Sequence, residues 1–256
     1  MFSGTTDGFF IGNSGIYSRI FRPAGKDNCP LIILFHGLPG NETNLDIAYA
    51  LREKGYAVLA PNYNGCWGSL GSYRLQNIPG NVKTILEYVF SASFLKTWGI
   101  DPERTGVVGH SIGGWASLIT PKIDKRIKAI AALAPVIDFD NIKISAQKLA
   151  PEFIIPLRNI TVEQLIEGWV WAGKEWSPFD TVNKMVDQSL MLAAATEDEI
   201  LFPEDCLKLY NQIKTAGNDA ELWVLHTDHS FVSEREKLRS LVIDYMLRKL
   251  PTQLYR

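Results

Sequence analysis

Ser111 lies in the run Gly109-His110-Ser111-Ile112-Gly113-Gly114. A serine hydroxyl is a weak nucleophile until a base takes its proton, and that base needs an orienting carboxylate. Gly-x-Ser-x-Gly suits such a serine, because small neighbours let the backbone turn sharply from a strand into a helix. Ser111 would then project at a helix N-terminus, where backbone N–H groups and the dipole favour developing negative charge. The chemistry indicated is acyl transfer. So short a pattern also arises by chance, as a glycine-rich turn with a capping serine, so its weight depends on whether an acid and a base accompany it farther along the chain.

In one recurrent order the serine is followed by the acid and then by the histidine. His226 and His229 are the histidines after Ser111. His226 closes a strand, whereas His229 lies in the loop beyond it, Asp228-His229-Ser230-Phe231, and is the expected base. The acid should follow the preceding strand. Asp198 in Thr196-Glu197-Asp198-Glu199 is the choice, with Asp138 and Asp140 as fallbacks and Glu197 and Glu199 read as solvated. Two backbone donors are needed for the oxyanion. They are expected at Ile112, next after the nucleophile, and at Leu38 in the turn His36-Gly37-Leu38-Pro39-Gly40. His110 is read as structural.

The elements that must position these groups show in the apolar pattern. Residues 8–22 suggest an opening β-hairpin around Gly12 and Gly15. Leu31 to Phe35 is a continuous apolar run of strand length, as for a strand buried on both faces. A helix with Ile47, Ala48 and Leu51 on one face ends at Gly55, and Tyr56 to Ala60 is the next strand. After a loop from Asn62 to Pro79, Val82, Ile85, Leu86 and Val89 predict an amphipathic helix over 81–94. Arg104 to Val108 is a strand leading into the Ser111 turn, and a helix then continues to Pro121. Further strands are read at Lys128–Leu133, Ser189–Ala194 and Glu221–Leu225, and a last helix carries Leu238, Leu241, Val242, Tyr245 and Met246.

Alternating strands and helices predict an α/β chain, a mostly parallel sheet with helices on both faces. Residues 136–187 interrupt the alternation and carry Trp169, Trp171 and Trp176. They are read as a helical cap inserted into a single domain spanning 1–256; ordinary connecting helices are the alternative. Trp67, Tyr73, Trp169 and Trp171 are candidates to line an apolar substrate pocket, or else to pack cap on body.

With 256 residues, 46% hydrophobic and 21% charged, the chain has ample material for a core. A formal net charge of −2 offers no footprint for nucleic acid or an anionic membrane. No stretch approaches the roughly 18 apolar residues of a membrane span, and no secretory signal is read in MFSGTTDGFFIGNSG. Cys29, Cys66 and Cys206 are unrelated in spacing and are expected to be thiols in a reducing, cytoplasmic setting. The four histidines have no paired spacing, so no metal is expected, and the chemistry needs no cofactor.

Five segments resemble the α/β-hydrolase superfamily, nearest to its prolyl oligopeptidase-like and dienelactone-hydrolase-like branch, which includes small serine esterases. They are His36 to Asn41, Asn62 to Ser69, Gly109 to Gly114, Asp198 to Leu201 with Pro203, and Asp228 to Phe231. The resemblance covers roughly residues 15–250 and the 136–187 segment least. It implies the α/β-hydrolase fold and a Ser-Asp-His triad that cleaves carboxylic esters through an acyl-enzyme. A small serine peptidase of the acylaminoacyl-peptidase kind is the alternative, and a non-catalytic binding protein of this fold is a third. The implied partner is a small ester or short peptide. Relatives often have Arg where Asn64 stands and Ser where Cys66 stands. The large oligopeptidases carry an N-terminal β-propeller not seen here, which weighs against dedicated oligopeptidase action. A serine nucleophile, where dienelactone hydrolase itself uses cysteine, weighs against that reaction.

Overall fold

The computed structural model describes residues 4–25, 27–40, 44–142 and 144–252. Among them, eight strands form one sheet, ordered β1-β2-β4-β3-β5-β6-β7-β8. β1 (Thr5–Phe10) and β2 (Tyr17–Arg22) are the expected hairpin, antiparallel with Phe10 opposite Tyr17, and Gly12 and Gly15 take positive φ in its turn. β2 also runs antiparallel to β4 (Ala57–Pro61). From β4 through β3 (Cys29–Phe35), β5 (Ile100–His110), β6 (Ile127–Leu133), β7 (Ser189–Ala195) and β8 (Asp219–Leu225), every pairing is parallel.

A strand's side chains alternate between faces, so a strand buried on both sides must be apolar throughout. β3 shows this: Leu31, Ile33 and Phe35 enter one core and Ile32 and Leu34 the other. On the Ile32 side lie α1 (Leu45–Glu53) and α9 (Arg235–Lys249), with Leu51, Val242 and Tyr245 against Val58 and Met191. On the Ile33 side lie α2 (Ile78–Val89), α3 (Ala92–Trp98), α4 (Ile112–Leu118) and α8 (Pro203–Thr215), with Val82, Trp115 and Leu209 against Val107 and Leu192.

Three helix assignments differ from expectation. The helix predicted over 81–94 is two: α2 starts at Ile78 and ends at Val89, and Ser91 caps α3 by accepting the N–H of Phe94 at 3.3 Å. The helix predicted to reach Pro121 stops at Leu118, and Pro121, which has no N–H to give, opens the short α5 (Thr120–Ile123) instead. α8 is additional to the elements expected from the apolar pattern. It begins at Pro203 and buries Cys206, Leu209 and Ile213.

Residues 136–187 join β6 to β7 and contain α6 (Ile144–Phe153), α7 (Val162–Glu175) and a 3₁₀ turn over Pro178–Lys184. Thr161 and Gln164 close a capping box at the start of α7. The segment is tied to the loop after β4: the N–H of Tyr73 donates to Arg158 at 3.0 Å and that of Arg158 to Gly65 at 2.9 Å. Gly168 lets α7 approach closely, since a Cβ there would stand 3.0 Å from the Cβ of Leu75.

Candidate active site

β5 delivers Ser111 to its turn. Its φ of 57° and ψ of −120° are unfavourable for any residue with a Cβ, and such a conformation persists only where the surroundings dictate it. They do so here by hydrogen bonds: the N–H of Ser111 donates to Leu133 at 2.9 Å, and its carbonyl accepts from Trp115 at 3.1 Å and Val136 at 3.2 Å. The neighbouring glycines are required by space. A Cβ on Gly109 would run into the carbonyl of Gly113, one on Gly113 into the carbonyl of Phe35, and one on Gly114 would reach within 2.7 Å of Pro135.

The loops after β7 and β8 carry Asp198 and His229, the expected acid and base. The Oδ1 of Asp198 accepts from the N–H groups of Ile200 and Leu201, both at 2.8 Å, while its Oδ2 lies 2.7 Å from Nδ1 of His229. The side chains of His229 and Asp198 are 14% and 3% exposed. Burial pushes the Asp198 carboxyl up, but the bond and charge of His229 and the N–H groups of Leu201 and Ile200 outweigh it and hold it below its ordinary value. An ionised carboxylate only accepts, so the imidazole proton is assigned to Nδ1, leaving Nε2 of His229 free to take one. The loop is shaped by Asp228, whose Oδ1 accepts from the N–H of Val232 at 2.8 Å, and by Phe231 at a φ of 59°.

The competing residues stand elsewhere. His226 is 81% exposed in its side chain and contacts Glu197 at 3.2 Å and Thr196 at 3.0 Å. Glu199 is exposed. Asp138 shapes its own turn, its Oδ1 accepting from the N–H of Asp140 at 3.1 Å.

Ser111 and His229 line one partly open cavity. Leu38, Ile112, Ile200 and Leu201 add walls from the sheet edge, and Val136, Ile142, Phe153 and Trp169 from the segment between β6 and β7. Leu38 and Ile112, the expected oxyanion donors, thus border the same space as Ser111. The turn carrying Leu38 passes close beside the serine: a Cβ on Gly37 would be 3.1 Å from the Cβ of Ser111. Asn41, the last residue of that motif, is outside the described residues.

Of the four aromatics expected at the pocket, Trp169 is in its lining and three are not. Tyr73 is fully buried in the core, and Trp171 packs partly buried against that core. Trp67 is 44% exposed and donates its Nε1–H to the carbonyl of Pro39 at 2.8 Å, bracing the Leu38 turn from outside. The stretch holding Trp67 is itself knotted, Ser69 donating to the carbonyl of Asn62 at 2.8 Å and Asn81 to the side chain of Asn64 at 2.6 Å.

Two supports go beyond what the sequence indicates. His36 is buried, with Nδ1 2.7 Å from the carbonyl of Gly37 and Nε2 accepting the N–H of Tyr63 at 3.4 Å. Burial drives its pKa down to about 4, against the raising effect of the Gly37 bond, so the ring is neutral. His110 lies with Nε2 2.8 Å from the carbonyl oxygen of His229. The one sequence signal for both is a histidine at the end of an apolar strand. Among the described residues no group of three or more His, Cys, Asp or Glu could hold a metal ion, and no helix is long and apolar enough to cross a membrane.

A model of the prolyl oligopeptidase family matches residues 43–250. Among curated proteins, the quorum-quenching protein AidA of Acinetobacter baumannii is 31% identical over 122 residues, 46% of this chain and 40% of that protein. The chain spans about two fifths of the length of the curated relatives it matches. Among solved structures, the alpha/beta hydrolase GrgF from Penicillium sp. sh18 superposes with a TM-score of 0.74 at 18% identity, over 98% of this chain and 100% of that one. The acylaminoacyl peptidase of Pyrococcus horikoshii also gives a TM-score of 0.74 at 18% identity, over 98% of this chain and 42% of that one. With the strand order, these likenesses show the α/β-hydrolase fold.

Proposed function

The chain belongs to the prolyl oligopeptidase family, and we propose that it hydrolyses small carboxylic esters through an acyl-enzyme on Ser111. The observation that carries this reading is one cavity lined by Ser111 and by a His229 whose Nδ1 is 2.7 Å from the buried Asp198. In the proposed reaction Ser111 Oγ attacks the ester carbonyl carbon while Nε2 of His229 takes its proton. Asp198 stabilises the imidazolium that forms. The tetrahedral oxyanion accepts the N–H groups of Leu38 and Ile112. The intermediate collapses, the C–O bond breaks, and the leaving alkoxide takes the proton from His229. Water, deprotonated by the same histidine, then attacks the acyl carbon and releases the carboxylic acid and free Ser111.

The choice of ester rests on the cavity walls. Apart from Ser111 and His229 the lining is apolar; among the described residues it holds no carboxylate to pair with a substrate ammonium group and no lysine or arginine to pair with a carboxylate. Burying either charge without a partner costs several kcal/mol, on the order of the penalty for an unpaired buried ion. A neutral, apolar acyl group fits; a peptide's free N-terminus does not. We read residues 136–187 as a cap that limits acyl size, because Phe153 and Trp169 come from it.

A panel of p-nitrophenyl esters of rising acyl length, run beside aminoacyl and N-acylaminoacyl anilides, tests both points. Esters of short to medium chain should be turned over, free-amine anilides should not, and Trp169→Ala should move the preferred chain length upward. Faster turnover of anilides than of any ester would make the chain a peptidase. An unchanged length preference in Trp169→Ala would remove the cap from specificity.

A further inference from the structure

The hydrogen bond to Asp198 fixes one edge of the His229 ring, but an imidazole held at one edge can still tilt with the loop that carries it. The second fixed point is on the backbone of His229, and it comes from the residue next to the nucleophile. Nε2 of His110 lies 2.8 Å from the carbonyl oxygen of His229. A carbonyl oxygen can only accept, so Nε2 of His110 carries the proton and donates.

The His110 ring is wedged. It is 5% exposed, its centroid is 4.7 Å from that of His229, and it meets Phe231 edge-on at 6.3 Å. The backbone of Gly37 closes another side, where a Cβ would come within 3.3 Å of Nδ1 of His110. Burial and the neighbouring charge of His229 drive its pKa down to about 3, against the raising effects of the His229 carbonyl and Asp198 and with a further lowering by Arg235. The ring is therefore a neutral single-tautomer donor across the working range. His110 is covalently adjacent to Ser111, so the end of β5 carries both the nucleophile and the strut that sets how far away the base stands.

We propose that His110 is a positioning residue for His229: its Nε2–H, given to the His229 carbonyl, fixes the base at the distance proton transfer from Ser111 requires. This rests on the reading of His229 as the base. Its consequence is kinetic, since a base misplaced by about 1 Å costs on the order of 10²-fold in rate while leaving substrate binding in the apolar cavity intact.

The experiment compares His110→Gln, His110→Asn and His110→Leu with the wild-type chain and with His229→Ala on one p-nitrophenyl ester. Glutamine sets a donor nitrogen at the reach of Nε2; asparagine and leucine do not. The expected result is a kcat for His110→Gln within about threefold of wild type. His110→Asn and His110→Leu should lose roughly 10- to 10²-fold in kcat with KM changed by less than about threefold, on the scale of geometric misplacement. Equal kcat for the glutamine and asparagine variants overturns the proposal, as does a leucine variant at wild-type rate. Failure of the polar variants to fold overturns it too, because the residue would then serve the fold and not the base. If His229→Ala itself stays active, the base assignment has failed; if it is inactive while His110→Leu is unchanged, the strut alone has.

Discussion

Asp198 accepts at least three hydrogen bonds, two from backbone N–H groups and one from His229, and this makes it a fixed negative charge where Glu199, one residue on, is a surface acid. In the proposed mechanism, neutralising Asp198 leaves its shape but removes the charge that opposes the imidazolium and selects the tautomer. We expect Asp198→Asn to lose about 10⁴-fold in kcat while folding normally, as when a triad aspartate is neutralised, and Glu199→Gln to stay within about twofold. Steady-state rates on one ester, with thermal melts as a folding control, check this; the reverse ranking would move the acid elsewhere. The sequence is informative for Ser111, Asp198 and His229, because residue type, order and position after strands suffice to nominate them. It reads His110 as structural without saying what it holds, and it is silent on what His36 does. A histidine has the same letter as base or as strut, and the difference lies in a carbonyl 119 residues away that only folding brings to 2.8 Å.

Both neutral histidines brace strand ends, His36 directly after β3 and His110 at the end of β5. Each is lowered from 6.5 in the folded chain, to about 4 and about 3, chiefly by burial. The unfolded chain therefore binds protons at these sites near pH 6.5, where the folded chain does not. Their contribution to stability is complete above pH 6.5 and declines as pH falls toward the folded values. Between pH 7 and pH 5 the loss should be about 2 kcal/mol for each ring, before most carboxylates begin to titrate. Urea unfolding at the two pH values measures it, and a stability unchanged across that interval would be at odds with the burial of these rings. Element boundaries are less legible than element types. The apolar spacing of Val82, Ile85, Leu86 and Val89 marks a helical face but not its end, which Phe90 and Ser91 decide by starting a new capped helix. α8 gives a weak signal because its buried apolar positions 206, 209 and 213 are sparse.

Across the whole molecule, the site gathers chain segments at residues 37–38, 111–112, 198–201 and 229, with a wall supplied from 136–169. The parallel sheet makes that gathering possible, because strands running the same way end on the same edge and offer their following loops to one place. The α/β alternation, the antiparallel opening hairpin and the family resemblance are readable from the residues alone. The pocket walls are not. Trp67, Tyr73 and Trp171 are as aromatic as Trp169, and only the path of the chain between β6 and β7 separates a wall from a brace or a core residue. If this edge makes Ser111 the single activated nucleophile, a fluorophosphonate probe will find it, and mass mapping of the modified peptide will locate the adduct. One adduct per chain is expected, on Ser111, absent in Ser111→Ala and formed at least 10²-fold more slowly in His229→Ala, on the scale seen when a triad base is removed. An adduct on another residue, or labelling of Ser111 at an undiminished rate without His229, would refute the assignment.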